Sequence, residues 1–300
     1  MSFIKSITNS KSMVMKPLNF IIFRFLNNNL YEINKVIKNS KLISNNQIYL
    51  ELINGDRYYF TSNDVNPPEN LANKIKYSDK TKVNKILEYE RFFFIYDLME
   101  EVYVKGSHFN QINYTEYGTI IDAGANIGAF TINASSKTRD CNFILVEPEA
   151  KNCIDLDKNL KSNNVKDYQI VRKGLWSSDG EMSFFTSNRA GEHSLIENEK
   201  NTKVTIEILK LESLFKQFHI TAPVLLKMDI EGAELEVIRS SIEFLKEQQN
   251  LTLLIEALHF VDNKETYKEL IPLLNDNGFE ILDWGNDFRG TILAKNANIK

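Results

Sequence analysis

The chain is short of cysteine, histidine and long apolar runs, and each shortage narrows what it can be. Its two cysteines, Cys141 and Cys153, are too few for a disulfide framework and lack metal-ligand spacing, so a reducing cytoplasm is the expected setting. The four histidines, His108, His193, His219 and His259, do not pair with cysteines as a zinc site requires. The apolar stretch at residues 17–38 is broken by Arg24 and followed by no small-residue cleavage site. It therefore reads as neither a transmembrane span nor a signal peptide. No internal repeat and no low-complexity tract beyond an Asn/Lys bias is present, which excludes a solenoid.

Acids are scarce at one end. In residues 1–50 Glu32 stands alone against Lys5, Lys11, Lys16, Arg24, Lys35, Lys38 and Lys41. The remainder is acidic, because the whole chain carries −4. Leu18, Ile21, Ile22, Phe25, Leu26, Leu30, Ile33 and Ile37 recur at helical spacing. This basic helix is expected to pack on the rest of the chain or on a second copy in a homodimer. The alternative is a peripheral contact with a membrane surface.

What is abundant is ordinary for a soluble globular protein: 43% hydrophobic and 25% charged residues over 300 positions, enough for a large core and an accessory segment. Asn54-Gly55 between alternating runs at 48–53 and 56–60 predicts a β-hairpin. Asn66-Pro67-Pro68-Glu69 reads as a loop, and the aromatic-rich stretch 83–104 as a helix. Residues 1–115 are taken together as an accessory region and 116–300 as the main domain.

The most informative stretch is residues 120–128, Ile-Ile-Asp-Ala-Gly-Ala-Asn-Ile-Gly. It reads as a buried strand, a tight turn and a helix start. Gly124 and Gly128 let a ligand approach the turn without a Cβ in the way. The spacing is not the G-x-G-x-x-G of a dinucleotide site, so a nucleotide-type ligand without a pyrophosphate is expected. A second strand at 142–147 ends in Glu147, roughly 20 residues on, where a ribose-binding carboxylate belongs. Strands at 168–175 and 223–229 follow, the latter ending in Asp229 and then Glu231-Gly232. Ligands of open α/β sheets bind beyond the carboxyl ends of the strands, so Asp122, Glu147, Trp176 and Asp229 should share one rim.

Further strands are predicted at 251–257, 279–283 and 291–295, and helices at 127–137, 149–163, 212–218, 232–248 and 264–276. A β-rich insert is expected at 182–185 and 204–208. The last two strands are joined by a loop too short for a crossover, so they should form an antiparallel hairpin.

The segments DAGANIG (122–128), VEP (146–148), KGLWSSDG (173–180), LKMDIEGAELEVI (226–238) and LLIEALHF (253–260) resemble the FkbM family of S-adenosylmethionine-dependent methyltransferases. The likeness is strong over about 101–282, weaker over about 48–104, and absent before residue 48. It implies a class I, Rossmann-like α/β sheet, mostly parallel with one antiparallel strand, preceded by an α+β accessory segment.

The resemblance also implies a site. The cofactor S-adenosyl-L-methionine would be held by Asp122, Gly124, Asn126, Gly128, Glu147, Trp176 (or Leu175) and Asp229. Gly124 and Gly128 would wrap its methionine portion, with the helix start favouring its carboxylate. Glu147 would accept from the ribose hydroxyls, and Trp176 or Leu175 would flank the adenine. Transfer to a hydroxyl needs a proton acceptor, for which Asp229, Glu231, Glu256 and His259 are the candidates. Asp229 and Glu231 should face opposite ways along an extended end. Two acids, Asp229 and Glu256, make too weak a set for a divalent ion, so no metal is expected. Arg189 and His193 lie in the insert, where they would meet a sugar or an acid.

The expected reaction is O-methylation of a sugar, glycan, glycolipid or natural product. The alternatives are N- or carboxyl-methylation of a peptide or protein, and a silent scaffold that keeps the fold. An NAD-linked dehydrogenase is disfavoured by the glycine spacing. Nucleic acid is not an expected partner: overall acidity gives no electrostatic footprint, and Asn66-Pro67-Pro68 lacks the aromatic of base-methylating motifs.

Overall fold

A computed structural model describes residues 35–44, 47–61, 98–99, 101–105, 109, 111–186, 202–257, 259–261, 264–284 and 290–297. The expected loop at 66–69, most of the helices at 17–38 and 83–104, and Arg189 and His193 lie outside these residues. The described end of the first stretch is not helical: Lys35 and Val36 form a turn, and Ile37 begins a strand.

Strands β1 (Ile37–Leu42), β2 (Gln47–Leu52) and β3 (Arg57–Thr61) form a small antiparallel sheet. The Asn54-Gly55 turn joins β2 to β3, with Leu50 opposite Tyr58 and Gly55 at φ +97°. Glycine takes such a φ without a steric penalty. Alternate residues of β2, Ile48, Leu50 and Leu52, point into the core.

The main domain runs β4 (Thr119–Ala123), α1 (Ala129–Ser135), β5 (Asn142–Val146), α2 (Ala150–Ser162), β6 (Tyr168–Val171), β7 (Gly174–Leu175), β8 (Gly180–Thr186), β9 (Thr202–Leu209), α3 (Leu211–Gln217), β10 (Val224–Met228), α4 (Glu234–Glu247), β11 (Leu251–Glu256), β12 (Phe260–Val261), β13 (Lys264–Glu265), α5 (Tyr267–Asp276), β14 (Phe279–Trp284) and β15 (Thr291–Asn296). Seven strands form one sheet in the order β14-β15-β11-β10-β4-β5-β6. Strand β15 is antiparallel to both of its neighbours, and the other pairs are parallel. This is the mostly parallel sheet with one reversed strand expected from the sequence.

Both faces of the sheet are covered, which is why β4, β5 and β10 read as near-continuous apolar runs. Successive residues feed opposite cores. Ile120 and Leu225 join the core beneath α1 and α2, together with Leu50 and Tyr58 of the small sheet. Ile121 and Leu226 join the core beneath α3, α4 and α5. The N-terminal sheet thus shares a core with the main domain.

Three boundaries depart from expectation. The strand at 168–175 splits: β6 stays in the main sheet, while β7 pairs with β9 of the insert. Helix α1 begins only after Gly128, whose φ of +88° is left-handed, so its seven residues are fewer than foreseen. Residues 264–265 pair with 260–261 as a small hairpin, and α5 begins at Tyr267.

The small sheet docks through a device that no local pattern reveals. Asp155 and Asn159 on α2 and Asn163 at its C-cap are four residues apart and meet alternate residues of β3. The N–H groups of Arg57, Tyr59 and Thr61 donate to Asn163 Oδ1, Asn159 Oδ1 and Asp155 Oδ2 at 2.8, 2.6 and 2.6 Å. Asn163 and Asn159 in turn donate to the carbonyls of Arg57 and Tyr59. Two strand residues rise roughly 6.6 Å and four helical residues about 6 Å, so the two repeats stay nearly in step. The edge of β3 is thereby paired by side chains.

Candidate active site

The chain reverses its winding direction between β4 and β10, and a cleft opens there at the strand ends. Gly124, Ala125 and Asn126 form its floor after β4, Glu147 follows β5, and Asp229 and Glu231 follow β10. Leu98, Val102 and Phe109 supply an apolar wall from the N-terminal portion. Of the four residues expected on the rim, Glu147 and Asp229 line this cleft.

The loop after β4 lies directly on the end of β10. Asp229 N–H donates to Ala123 O at 3.1 Å, and a Cβ on Gly124 would come 1.7 Å from Asp229 O. Gly124 also has φ +75°, so glycine is required twice over. At Gly128 a Cβ would meet Leu156 Cδ1 at 2.7 Å, so this glycine also permits packing against α2.

Glu147 is buried and organises the loop. Its Oε2 accepts from Asn126 N–H at 2.9 Å, and its Oε1 from Glu149 N–H at 2.9 Å and Asn152 Nδ2 at 3.3 Å. Burial raises its carboxyl above the ordinary range, while the N–H groups of Glu149 and Asn126 and the Asn152 amide pull the other way. Asn126 has φ +49°, and its buried Oδ1 has no hydrogen-bond partner. That orphan acceptor on the cleft wall fits a ligand carrying N–H or O–H donors.

Asp122 is buried beneath the loop and is not among the cleft-lining residues. Its Oδ2 accepts from Thr131 Oγ1 at 2.6 Å, and its Oδ1 lies 3.3 Å from Lys227 Nζ. Lys227 also donates to Gly124 O at 3.1 Å and lies 3.8 Å from Asp229 Oδ2. The sequence reading missed Lys227. Its one signal was a lone lysine in an otherwise apolar, five-residue strand.

Trp176 is half-buried, donates its backbone N–H to Leu209 O, and does not line the cleft; Leu175 does. Of the two residues expected to flank an adenine, the structure brings Leu175 to the wall. The peptide after Gly174 follows the insert sheet and carries Trp176 away.

Asp229 and Glu231 do not diverge. The chain leaves the strand after Met228 and turns, with φ +57° at Glu231 and +100° at Gly232, so extended alternation does not apply. Both acids line the cleft, and both approach His259. Its Nε2 is 3.8 Å from Glu231 Oε2, and its Nδ1 is 3.3 Å from Glu234 Oε2. Glu234 is fully buried, and its Oε1 accepts from Ile230 N–H at 2.7 Å. Burial of His259 disfavours its charge, but Glu234, by hydrogen bond and by charge, together with Glu256 and Asp229, outweighs this and raises the pKa to about 10. The raised pKa favours the imidazolium at neutral pH, a form with no lone pair to take a proton, which argues against His259 as the base. Glu256, another expected base, contributes to that field and does not line the cleft. Glu234 was also missed: it reads as an ordinary first-turn acid of α4.

Comparison with known proteins now decides the lineage. The family model described as "Methyltransferase FkbM domain" matches residues 122–281, more than half of the chain. The chain belongs to the FkbM methyltransferase family.

Its methyl donor is S-adenosylmethionine. A curated relative, "Methyltransferase sdnD" of Sordaria araneosa, is 28% identical over 221 residues, covering 59% of this chain and 80% of that protein. "Methyltransferase 1" of Beauveria bassiana is 23% identical over 190 residues, 55% of this chain and 75% of its own. "Hexuronic acid methyltransferase AglP" of Haloferax volcanii is 31% identical over 153 residues, 50% of this chain and 59% of its own. The FkbM match spans the glycine loop, Glu147, Lys227 and the whole segment from Asp229 to His259. Among the described residues no helix is long and apolar enough to cross a membrane.

Proposed function

We propose that this FkbM enzyme methylates a hydroxyl of a sugar, glycan, glycolipid or natural-product acceptor. The observation that carries the reading is the placing of Asp229 and Glu231 on the wall shared with Asn126 and Glu147. Carboxylates able to accept a proton thus lie beside the nucleotide-type cradle.

When bound, S-adenosylmethionine supplies a methyl group on a sulfonium, an already activated leaving group. Glu147 accepts from its ribose hydroxyls, with the carboxylate oriented by the Asn126 and Glu149 N–H groups. Asn126 Oδ1 takes a further donor, and Leu175 covers the base. Asp122, fixed by Thr131 and Lys227, holds the loop from below. Asp229 and Glu231, which line the cleft, are then the groups to accept the acceptor's proton as the new O–CH₃ bond forms and the sulfonium's C–S bond breaks, because the acids around His259 favour its protonated form. Orientation of the hydroxyl supplies much of the remaining rate. The hexuronic acid named for the Haloferax volcanii relative supports a sugar as acceptor.

The test is an acceptor screen with methyl-labelled cofactor, presenting uronic acids, neutral sugars, amino sugars and peptides in parallel. Label on a sugar hydroxyl is the expected result. Label confined to amines or to carboxyl groups would overturn the reading.

A further inference from the structure

We propose that Asp229, Glu234 and His259 form a site for a divalent first-row transition ion at the edge of the methyl-transfer cleft. The three come from two separate segments, the β10–α4 turn and the chain just past β11, yet one donor atom of each lies within 4.8 Å of the other two. Two adjacent ligands, each about 2.1 Å from one ion, stand roughly 3 Å apart. Glu234 Oε2 and His259 Nδ1 are 3.3 Å apart, so two of the three are nearly placed.

The second observation is a buried pair with no other partner. Glu234 is wholly removed from solvent; its Oε2 and His259 Nδ1 face each other at 3.3 Å, and neither atom has a further hydrogen-bond partner among the described residues. On uptake of an ion the His259 ring would release its proton and Nδ1 would become the ligand, the ion then neutralising the buried Glu234 carboxylate.

The surroundings match what metal sites use to aim their ligands. Ile230 N–H holds the other oxygen of Glu234 at 2.7 Å. Glu231 Oε2 lies 3.8 Å from the far ring nitrogen of His259, beyond hydrogen-bond distance but on the side from which a carboxylate orients a ligating imidazole. Asp229, Glu231, Glu234 and Glu256 set four acids around His259, against Lys227, whose Nζ is already committed to Gly124 O and sits beside Asp122. The donor set of one imidazole nitrogen and two carboxylates differs from the all-oxygen cages of Mg²⁺ and Ca²⁺ and suits Mn²⁺, Fe²⁺, Co²⁺ or Zn²⁺. Three protein ligands leave positions open, as in catalytic rather than structural sites, and Asp229 itself lines the cleft. On the hydroxyl-methylation reading, on which this consequence rests, the open positions would take acceptor oxygens.

The experiment uses the full chain, stripped with EDTA and desalted. Mn²⁺ is titrated in while the free-ion signal is followed by electron paramagnetic resonance, and Zn²⁺ uptake is followed by calorimetry. Uptake of S-adenosylhomocysteine is measured on the same preparations. The wild type should take up about one ion per chain, and His259→Ala and Glu234→Gln should each weaken that uptake at least tenfold. Circular dichroism checks that each variant is folded; the His259 side chain is 20% exposed, so its removal leaves the core intact. No uptake of Mn²⁺ or Zn²⁺, or equal uptake by wild type and both variants, would overturn the site. A chain that binds S-adenosylhomocysteine but no ion loses the metal site and keeps the methyltransferase reading. A chain that binds the ion but no S-adenosylhomocysteine does the reverse.

Discussion

Lys227 Nζ lies 3.3 Å from Asp122 Oδ1, with the aspartate 1% and the lysine 11% exposed, and the same ammonium donates to Gly124 O. One buried ion pair therefore joins two parallel strands of the sheet to the loop at the base of the cleft. Removing one partner of such a pair leaves the other charge uncompensated, at a cost of about 3–5 kcal/mol. Lys227→Met should lower unfolding free energy by about that much in urea titrations, and the double change with Asp122→Asn should recover part of it. A loss below about 1 kcal/mol would mean that the pair does not act as described.

Gly124 and Gly55 both have positive φ but differ in their surroundings. A Cβ on Gly55 meets nothing within 4 Å, whereas one on Gly124 lies 1.7 Å from Asp229 O. Gly55→Ala should cost only the backbone penalty, about 1–2 kcal/mol. Gly124→Ala should separate β4 from β10 and abolish uptake of S-adenosylhomocysteine. Equal cofactor uptake by the two variants would contradict the close approach.

Asn159 accepts from Tyr59 N–H and donates to the carbonyls of Tyr59 and Ile127, so it ties the N-terminal sheet to the glycine loop. Asn159→Ala leaves buried backbone groups unpaired, at about 1–3 kcal/mol each. It should destabilise the fold by about 2–4 kcal/mol in denaturant and weaken cofactor uptake. Asn163, whose contacts with β3 lie at an exposed position, should lose less than half as much. The order of the two variants is the quantity to measure.

His259 gives a pH signature in metal-free buffer. Its folded pKa, about 10, lies above the ordinary 6.5. Its contribution to stability is thus fully present below about pH 6.5 and is lost as pH rises through about 10. Thermal melts of wild type and His259→Gln should differ most near the lower end and converge at the upper end. A gap that widens with pH would place the histidine in a different environment.

The sheet was largely legible in the sequence because a strand buried on both faces must be apolar, as β4, β5, β10 and β11 are. The Asn54-Gly55 hairpin was legible because its turn demands those residues. The place of Glu147 on the cleft was legible because it stands at the end of a buried strand. The site was obscure where several segments converge. Asp229 and Glu231 looked divergent because a left-handed Glu231 cannot be read from a strand-like run. Glu234 looked like a helix-start acid and Lys227 like an interruption of a strand. Their meaning depends on His259 and Asp122, far away in sequence. The ladder of Asp155, Asn159 and Asn163 on β3 was invisible for the same reason.

The central claim is that S-adenosylmethionine lies against Glu147 in the cleft between β4, β5 and β10. Calorimetric titration of S-adenosylhomocysteine into the wild type and Glu147→Gln tests it most directly, because the exchange preserves volume, removes the charge and turns one acceptor oxygen into a donor. One molecule bound per wild-type chain, with affinity at least tenfold weaker in the folded variant, is the result expected. No binding by the wild type, or equal affinity in both, would contradict it.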